Sequence, residues 1–179
     1  KKTKKKSVNQ SKANGKIIRD IYIETLDPFG NSITDKSKVP RNDFEKFGNY
    51  IHVKTKQFTI KNLLLFKKNS VYDSLISKES ERLIRTQRYV REVLITPVFI
   101  TSTSDSIDVK VRVLDSWSLI PNGSLSGSQS SIKLAERNLF GFGHQITWNL
   151  ENRFSPKEQA IFGTYTVNNI KNSFIKLDL

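Results

Sequence analysis

The last third of this 179-residue chain alternates apolar and polar side chains with a period of two. Between His144 and Arg153 the apolar residues Ile146, Trp148 and Leu150 alternate with polar ones. Weaker alternation covers Ala160–Val167 and Ser173–Leu179. A period of two places successive side chains on opposite faces of a strand, so this region is predicted to form amphipathic β-hairpins.

An amphipathic sheet has two interpretations at this stage. In a soluble sandwich the apolar face packs against a protein core, whereas in a membrane β-barrel it contacts lipid and the polar face lines a watery interior. Aromatic residues near the predicted strand ends, such as Trp148, Phe154 and Tyr165, fit an interfacial girdle. Composition and periodicity leave both interpretations open. No apolar run approaches the roughly 20 residues of a membrane helix.

The preceding part of the chain predicts a β-α-α-β-β order. We expect strands at 16–26, 89–101 and 105–114, and helices at 58–66 and at Ser74–Arg88. Asp73 is the expected N-cap of the second helix, with Leu75, Ile76, Leu83 and Ile84 as its apolar stripe and Glu79, Glu81 and the arginines mainly on its wet side.

Three further features of this part of the chain are predicted. Residues 27–57 form a long insertion across the surface, with a short helix at Asp43–Phe47 and an alternating piece at Tyr50–Thr55. Pro97 places the strand at 89–101 on a sheet edge, because proline cannot donate to a ladder. Asp108, Lys110 and Arg112 form the wet face of the strand at 105–114, and the small polar residues 121–131 mark a boundary.

The charge is strongly positive and uneven. The chain has 30 Lys+Arg against 17 Asp+Glu, a formal net charge of +13. Residues 1–16 hold seven lysines and no acid, so we expect residues 1–15 to be a flexible basic tail. The tail is either a solvated linker or a contact for a polyanion such as nucleic acid or anionic lipid. No nucleic-acid partner is expected, because no zinc-finger spacing, RNP-type strand or basic recognition helix is present.

The candidate catalytic residues are few. The chain has no cysteine, which excludes disulfides, cysteine catalysis and Cys-ligated metals. His52 and His144 stand alone, and we expect each to be a surface or packing residue, while Asp105, Asp108 and Asp115 need no special role. Gly141 and Gly143 favour a hairpin turn over a phosphate cradle, because the residues after them alternate with period two. We therefore expect no enzyme activity, no cofactor and no metal.

The order of motifs resembles a known family. The stretches Val71–Leu75, Glu81–Arg85 and Tyr89–Val93 look like a POTRA (polypeptide-transport-associated) domain. Glu136–His144 is similar to the opening strands of the barrel in BamA-like outer-membrane assembly factors of the surface-antigen type, and Asp115–Leu119 lies between the two parts. The resemblance covers roughly residues 16–179, and it favours the barrel interpretation.

The resemblance implies an α+β fold with a single POTRA-like domain at 16–117, containing the 27–57 insertion, followed by the N-terminal strands of an outer-membrane β-barrel at 118–179. It implies a protein of the Gram-negative outer membrane that assembles or translocates other polypeptides, with the POTRA-like domain in the periplasm. The implied partners are extended outer-membrane protein clients, outer-membrane lipid and accessory periplasmic proteins. Because an open sheet edge cannot lie in lipid, about four strands cannot span alone, and we expect the chain to be a fragment.

The edge strand is the candidate binding site. An extended client could pair with its backbone by β-augmentation, and we name Val90, Glu92, Leu94 and Thr96 as the client-binding residues. The alternative function is a soluble α+β binding module whose basic tail contacts polyanions.

Overall fold

The computed structural model describes residues 10–101, 104–169 and 175–179. These residues form an α+β structure with two sheets, which confirms the predicted class. The helices are α1 (Asp43–Ile51), α2 (Gln57–Lys61) and α3 (Ser74–Arg85). The strands are β1 (Ile17–Leu26), β2 (Val90–Phe99), β3 (Ser106–Asp115), β4 (Leu119–Leu125), β5 (Gln129–Leu139), β6 (His144–Phe154), β7 (Lys157–Val167) and β8 (Leu177–Asp178).

The first sheet has the order β1-β3-β2, with β1 parallel and β2 antiparallel to the central strand β3. Its core face is built from β-branched residues that recur at every second position of β3, as the alternation predicted. Helices α2 and α3 pack on this face. The fully buried core side chains include Ile18, Ile60, Ile84, Ile95, Ile107, Val109, Val111 and Val113.

Helix α3 packs through a face that differs in part from the one predicted. Asp73 is the N-cap and accepts a hydrogen bond from Leu75 N at 2.7 Å, as expected. The predicted apolar stripe is confirmed at Ile84, which is buried, and is wrong at Leu75 and Ile76, which are exposed. The buried residues are Ser77, Ser80, Glu81 and Ile84, whose spacing also places them on one face. The small serines allow the helix to lie close to the sheet.

Helix α2 ends at Lys61, five residues earlier than predicted. Leu65 N donates to Ser80 Oγ on α3 at 3.0 Å, so the chain beyond α2 bonds to its neighbour instead of continuing the helix. Leu63, Leu64 and Phe66 remain buried in the core. These apolar residues after Lys61 are therefore buried, although they are not part of the helix.

The segment 27–57 covers part of the second face of the first sheet. Its helix runs to Ile51, four residues beyond the prediction, and the alternating piece at Tyr50–Thr55 is not a strand. Arg112 donates to Ile33 O at 2.5 Å and pairs with Glu24 at 2.9 Å. Arg112 is consequently buried, and Asp108, which accepts from Arg19 Nε at 2.8 Å, is buried as well. The expected wet face of β3 is therefore wrong at these two positions.

Residues 10–15, assigned by the sequence to the flexible tail, pack against the domain. Residues 10–13 are helical, and Ala13 is fully buried in the core. Gly15 N donates to Tyr72 O at 3.0 Å. The buried Ala13 and the hydrogen bond of Gly15 hold this segment against the domain, although its composition is polar. The lysines at positions 1–6 lie outside the described residues.

The second sheet is an antiparallel meander with the order β4-β5-β6-β7-β8. The predicted boundary at residues 121–131 is wrong, because most of it forms β4, the β4–β5 turn and the start of β5. The alternating segments at 144–153 and 160–167 are confirmed as β6 and β7. Of the strand predicted at 173–179, Leu177–Asp178 pair with β7, and residues 173 and 174 lie outside the described ones.

Within the described parts of the chain, every helix is too short or too polar to cross a bilayer.

Candidate functional site

The predicted binding strand β2 lies at one edge of the first sheet. All four predicted site residues belong to it. Glu92, Leu94 and Thr96 are two residues apart and share one face, with Glu92 exposed and the other two half-buried. Val90 is buried, and a register shift between Val90 and Glu92 separates it from the set. The structure thus brings three of the four residues together.

The outward backbone of β2 is occupied at Ile95. Its N–H donates to the Glu81 carboxylate at 3.3 Å, and its carbonyl accepts from Gln10 Nε2 at 3.5 Å. Neighbouring residues of an antiparallel strand direct their backbone groups to opposite sides. Leu94 and Thr96 therefore bond toward β3, while Ile95 presents its groups to the outer edge.

Sequence reasoning missed Glu81 and Gln10 at this edge. Glu81 was expected on the wet side of α3, but it is buried, and it also pairs with Arg85 at 2.7 Å. The spacing of Glu81 from Ser77 and Ile84 places the three residues on one face of the helix, and this spacing could have indicated that Glu81 is buried. The bond from Gln10 joins residues 85 positions apart, and no local pattern indicates such a contact.

The turn between β5 and β6 packs against the part of the chain that forms the first sheet and its helices (residues 16–117, the first domain). The buried Asn138 donates from Nδ2 to Thr55 Oγ1 at 2.9 Å and accepts from Gly143 N at 2.8 Å. Gly141 O accepts from Lys56 N at 2.9 Å and from Thr59 Oγ1 at 2.8 Å. The predicted hairpin turn at the glycine pair is confirmed, and its hydrogen bonds fix the second sheet to the first domain.

Both glycines of this turn are required by their surroundings. Gly141 has a φ of 78° and faces the Lys54 carbonyl, with which a Cβ would collide. Gly143 has a φ of 71°, and a Cβ there would lie 2.7 Å from the hydroxyl of Tyr89. Burial, and then the nearby Asp115 charge, raise the pKa of Tyr89. The buried, neutral Tyr89 side chain therefore packs directly against the turn at Gly143.

His52 and Asp115 form a buried pair beside this junction. His52 Nε2 lies 3.0 Å from Asp115 Oδ2, which also accepts from Thr55 N at 2.8 Å. Their side chains are almost fully enclosed. His52 is the packing residue that was expected, whereas Asp115 has a structural role that the sequence did not indicate. No three His, Asp or Glu side chains of residues 10–101, 104–169 and 175–179 are placed to hold a metal.

The two faces of the second sheet differ in chemistry across three strands. The register aligns Ile132, Leu150 and Ile161 on one face, with Leu134 and Trp148 beside them. The opposite face aligns Ala135, Thr147 and Thr164 and carries Lys133, Asn149, Gln145 and Glu151, together with Phe162.

Burial on this sheet does not follow the pattern of a water-soluble domain, whose apolar face would be covered. On the apolar face Ile161 is 73% exposed and Trp148 is 52% exposed. On the polar face Ala135 and Thr147 are each only 8% exposed. Phe162 and Thr164 of the polar face are exposed too. A contiguous exposed apolar patch of this kind marks a surface that contacts protein or membrane. The described part of the chain leaves this face uncovered.

No protein-family model matches the sequence, and no curated protein matches it either. Among solved structures, the chain is similar to BamA from Haemophilus ducreyi lacking POTRA domains 1–3, with a TM-score of 0.58 and 13% identity. That match covers 88% of this chain and 26% of the BamA chain. CdiB from Acinetobacter baumannii matches with a TM-score of 0.45 and 12% identity, over 84% of this chain and 26% of that one. The chain thus spans about a quarter of the length of each of these two solved chains.

Proposed function

We propose that this chain is part of a non-enzymatic outer-membrane protein that assembles or translocates other polypeptides. The observation that carries the proposal is the second sheet, whose apolar face is exposed while Ala135 and Thr147 on its polar face are buried. The similarity in fold to the BamA structure supports it, since 88% of the chain takes part in that match.

In this proposal strands β4 to β8 are the first strands of a membrane β-barrel. The face with Ile132, Trp148 and Ile161 contacts hydrocarbon, and the face with Thr147 and Asn149 lines a polar interior. Lipid provides no hydrogen-bond partner for an open sheet edge, so further strands must close the barrel. The boundary at 117/118 fits the linker between Asp115 at the end of β3 and Leu119 at the start of β4.

The first domain, residues 16–117, acts as a POTRA-like module in the periplasm. Its parallel β1–β3 pair leaves β2 at an edge, where an extended client can add a strand by β-augmentation. The client would bond to the outward groups of Ile95 after displacing Glu81 and Gln10. Pro97, which has no N–H, limits how far the pairing extends.

The proposed reaction needs no nucleotide and no cofactor. Main-chain hydrogen bonds recognise an extended client regardless of its sequence, and the side chains of Glu92, Leu94 and Thr96 contribute selectivity. The free energy comes from folding of the client into lipid, where its backbone groups become paired and its apolar side chains leave water. Outer-membrane lipid and accessory periplasmic proteins are the other proposed partners.

Fractionation of cells that express the complete gene tests the proposal. We expect the product in the outer-membrane fraction, resistant to extraction by alkaline carbonate. Its electrophoretic mobility should change on heating, as it does for a closed β-barrel that unfolds. Recovery in the soluble fraction, or release by carbonate, would overturn the proposal.

A further inference from the structure

We propose that helix α1 is a membrane-surface anchor whose apolar face inserts among anionic lipid headgroups beside the barrel. The inference rests on the proposed function, because it requires the second sheet to lie in the same membrane. It assigns a role to the exposed side of α1, whereas other parts of segment 27–57 already bond to the first sheet and to the β5–β6 turn.

The apolar face of α1 is turned toward solvent. Phe44 is 75% exposed, Phe47 62%, Tyr50 86% and Ile51 46%. These four residues lie within a nine-residue helix, and the turn of 100° per residue gathers them on one side. Four large apolar side chains on two and a half turns of helix exceed the scattered exposure that is normal for a soluble surface.

The helix docks onto the domain through its other side. Gly48 is buried against the Phe29 ring, where an added Cβ would lie 2.7 Å from ring carbons. Asn49 accepts from Phe29 N at 3.1 Å and donates to Phe29 O at 2.9 Å. A helix on a water-soluble domain packs its apolar side against the core. Helix α1 instead packs its other side against the domain and leaves its apolar side in solvent.

The position of α1 next to the second sheet favours lipid as the partner that covers its exposed apolar face. The Phe29 ring contacts Phe44 at 6.1 Å between centroids and Trp117 at 5.6 Å. Trp117 lies two residues before β4, the first strand of the amphipathic sheet. The exposed face of α1 is therefore held where the chain enters the proposed barrel, at the level of the membrane surface.

Charge around the helix complements anionic headgroups. Segment 27–57 contains six Lys+Arg and four Asp+Glu, a net charge of +2. One acid, Asp43, pairs with Lys46 at 3.2 Å, and Lys54 pairs with Asp27 at 2.9 Å. The remaining cations Lys36, Lys38, Arg41 and Lys56 flank the helix on both sides. An amphipathic helix with aromatic residues on one face and basic residues around it is the pattern of interfacial membrane binding.

Fluorescent labels at three positions test the inference. The chain has no cysteine, so single cysteines at Tyr50, Ile161 and Leu75 can each carry an environment-sensitive dye. The complete gene product is folded into vesicles of phosphatidylethanolamine and phosphatidylglycerol that contain a headgroup-level or a chain-level quencher. We expect the headgroup-level quencher to act on position 50 and the chain-level quencher on position 161. Leu75 is similarly exposed but lies at the N-terminal end of α3, and we expect neither quencher to act on a label there.

The outcomes separate the two proposals. Failure to quench position 161 contradicts the proposed function. Quenching at 161 but not at 50 overturns the anchor and leaves the barrel intact. A label at position 50 that responds to protein concentration instead of to the quencher means that a second copy covers α1, which also overturns the inference.

A pair of double variants adds a matched control, with the label moved to Ile51. The double variant Phe47→Ser/Tyr50→Ser should lower the membrane-insertion equilibrium of α1 by about tenfold or more, because most of its exposed apolar area is lost. The double variant Val71→Ser/Leu75→Ser removes similar exposed apolar area from the same domain and should leave the quenching unchanged. Equal effects of the two double variants would contradict the anchor.

Discussion

Replacement of Ile161 by arginine distinguishes a lipid-facing sheet from a water-facing one. Ile161 lies near the middle of β7, pairs with Leu150 and is 73% exposed in the chain alone. If water surrounds this face, the change occurs at an exposed site and alters the free energy of folding by less than about 0.5 kcal/mol. If hydrocarbon surrounds it, an arginine near the bilayer midplane costs about 2–4 kcal/mol. The two cases differ by about 30- to 900-fold in the ratio of folded to unfolded protein.

Thr164 provides the matched control. It lies on the same strand, is also exposed, and pairs with Thr147 on the polar face. If this face lines the polar interior of the proposed barrel, Thr164→Arg should change the free energy of folding by no more than about 0.5 kcal/mol, because the arginine stays in contact with water. The assay measures the folded fraction of the complete gene product in lipid vesicles against urea concentration. Equal losses for Ile161→Arg and Thr164→Arg, a larger loss for Thr164→Arg, or complete folding without vesicles would refute the assignment of faces.

Three further predictions concern the first domain and its junction with the second sheet. Gly141→Ala should lower the free energy of unfolding by about 1–3 kcal/mol, whereas Gly127→Ala, which has open space and no positive φ, should change it by less than about 0.5 kcal/mol in the same urea titration. Because burial raises the pKa of Tyr89, the folded state retains a proton that the unfolded state loses. The free energy of unfolding should therefore fall as the pH rises above the ordinary tyrosine value of about 10, and urea titrations of Tyr89→Phe should lack that part of the fall. Glu81→Ala should speed hydrogen exchange at the Ile95 amide, and unchanged exchange would contradict the occlusion of the β2 edge.

The strongest periodic signals in the sequence predicted the structure well. Strand β3 alternates Val109, Val111 and Val113 with polar residues, and β6 alternates Ile146, Trp148 and Leu150, so both were found within a residue or two. The N-cap of α3 at Asp73 was also found, because capping depends on local hydrogen bonds. These elements are the ones in which a local pattern and the fold agree.

Local patterns failed where pairing or packing over long distances determines the outcome. Strand β4 reads as a loop, because Pro121, Asn122 and Gly123 disfavour strands, yet its pairing with β5 overrides that preference. The pair of His52 with Asp115 joins residues 63 positions apart, and no spacing rule relates them. Of the candidate site, the sequence predicted the edge strand from Pro97, but not the side chains of Glu81 and Gln10 that occupy its outer edge.

The exposed apolar faces cannot be attributed to a loosely formed interior. Several buried polar groups of the first domain have specific partners. Arg112 binds Glu24 and the Ile33 carbonyl, and Asp115 binds His52 and the Thr55 amide. A chain that places two charged side chains inside with such specific partners has a defined core. The exposure of the face around Ile161 and of helix α1 is then a property of the folded surface. The free energy that this exposure costs in water is recovered only when an apolar partner covers both faces. In the proposed arrangement a bilayer would cover both faces at once, whereas a single protein partner would have to match a sheet and a helix of unrelated shape.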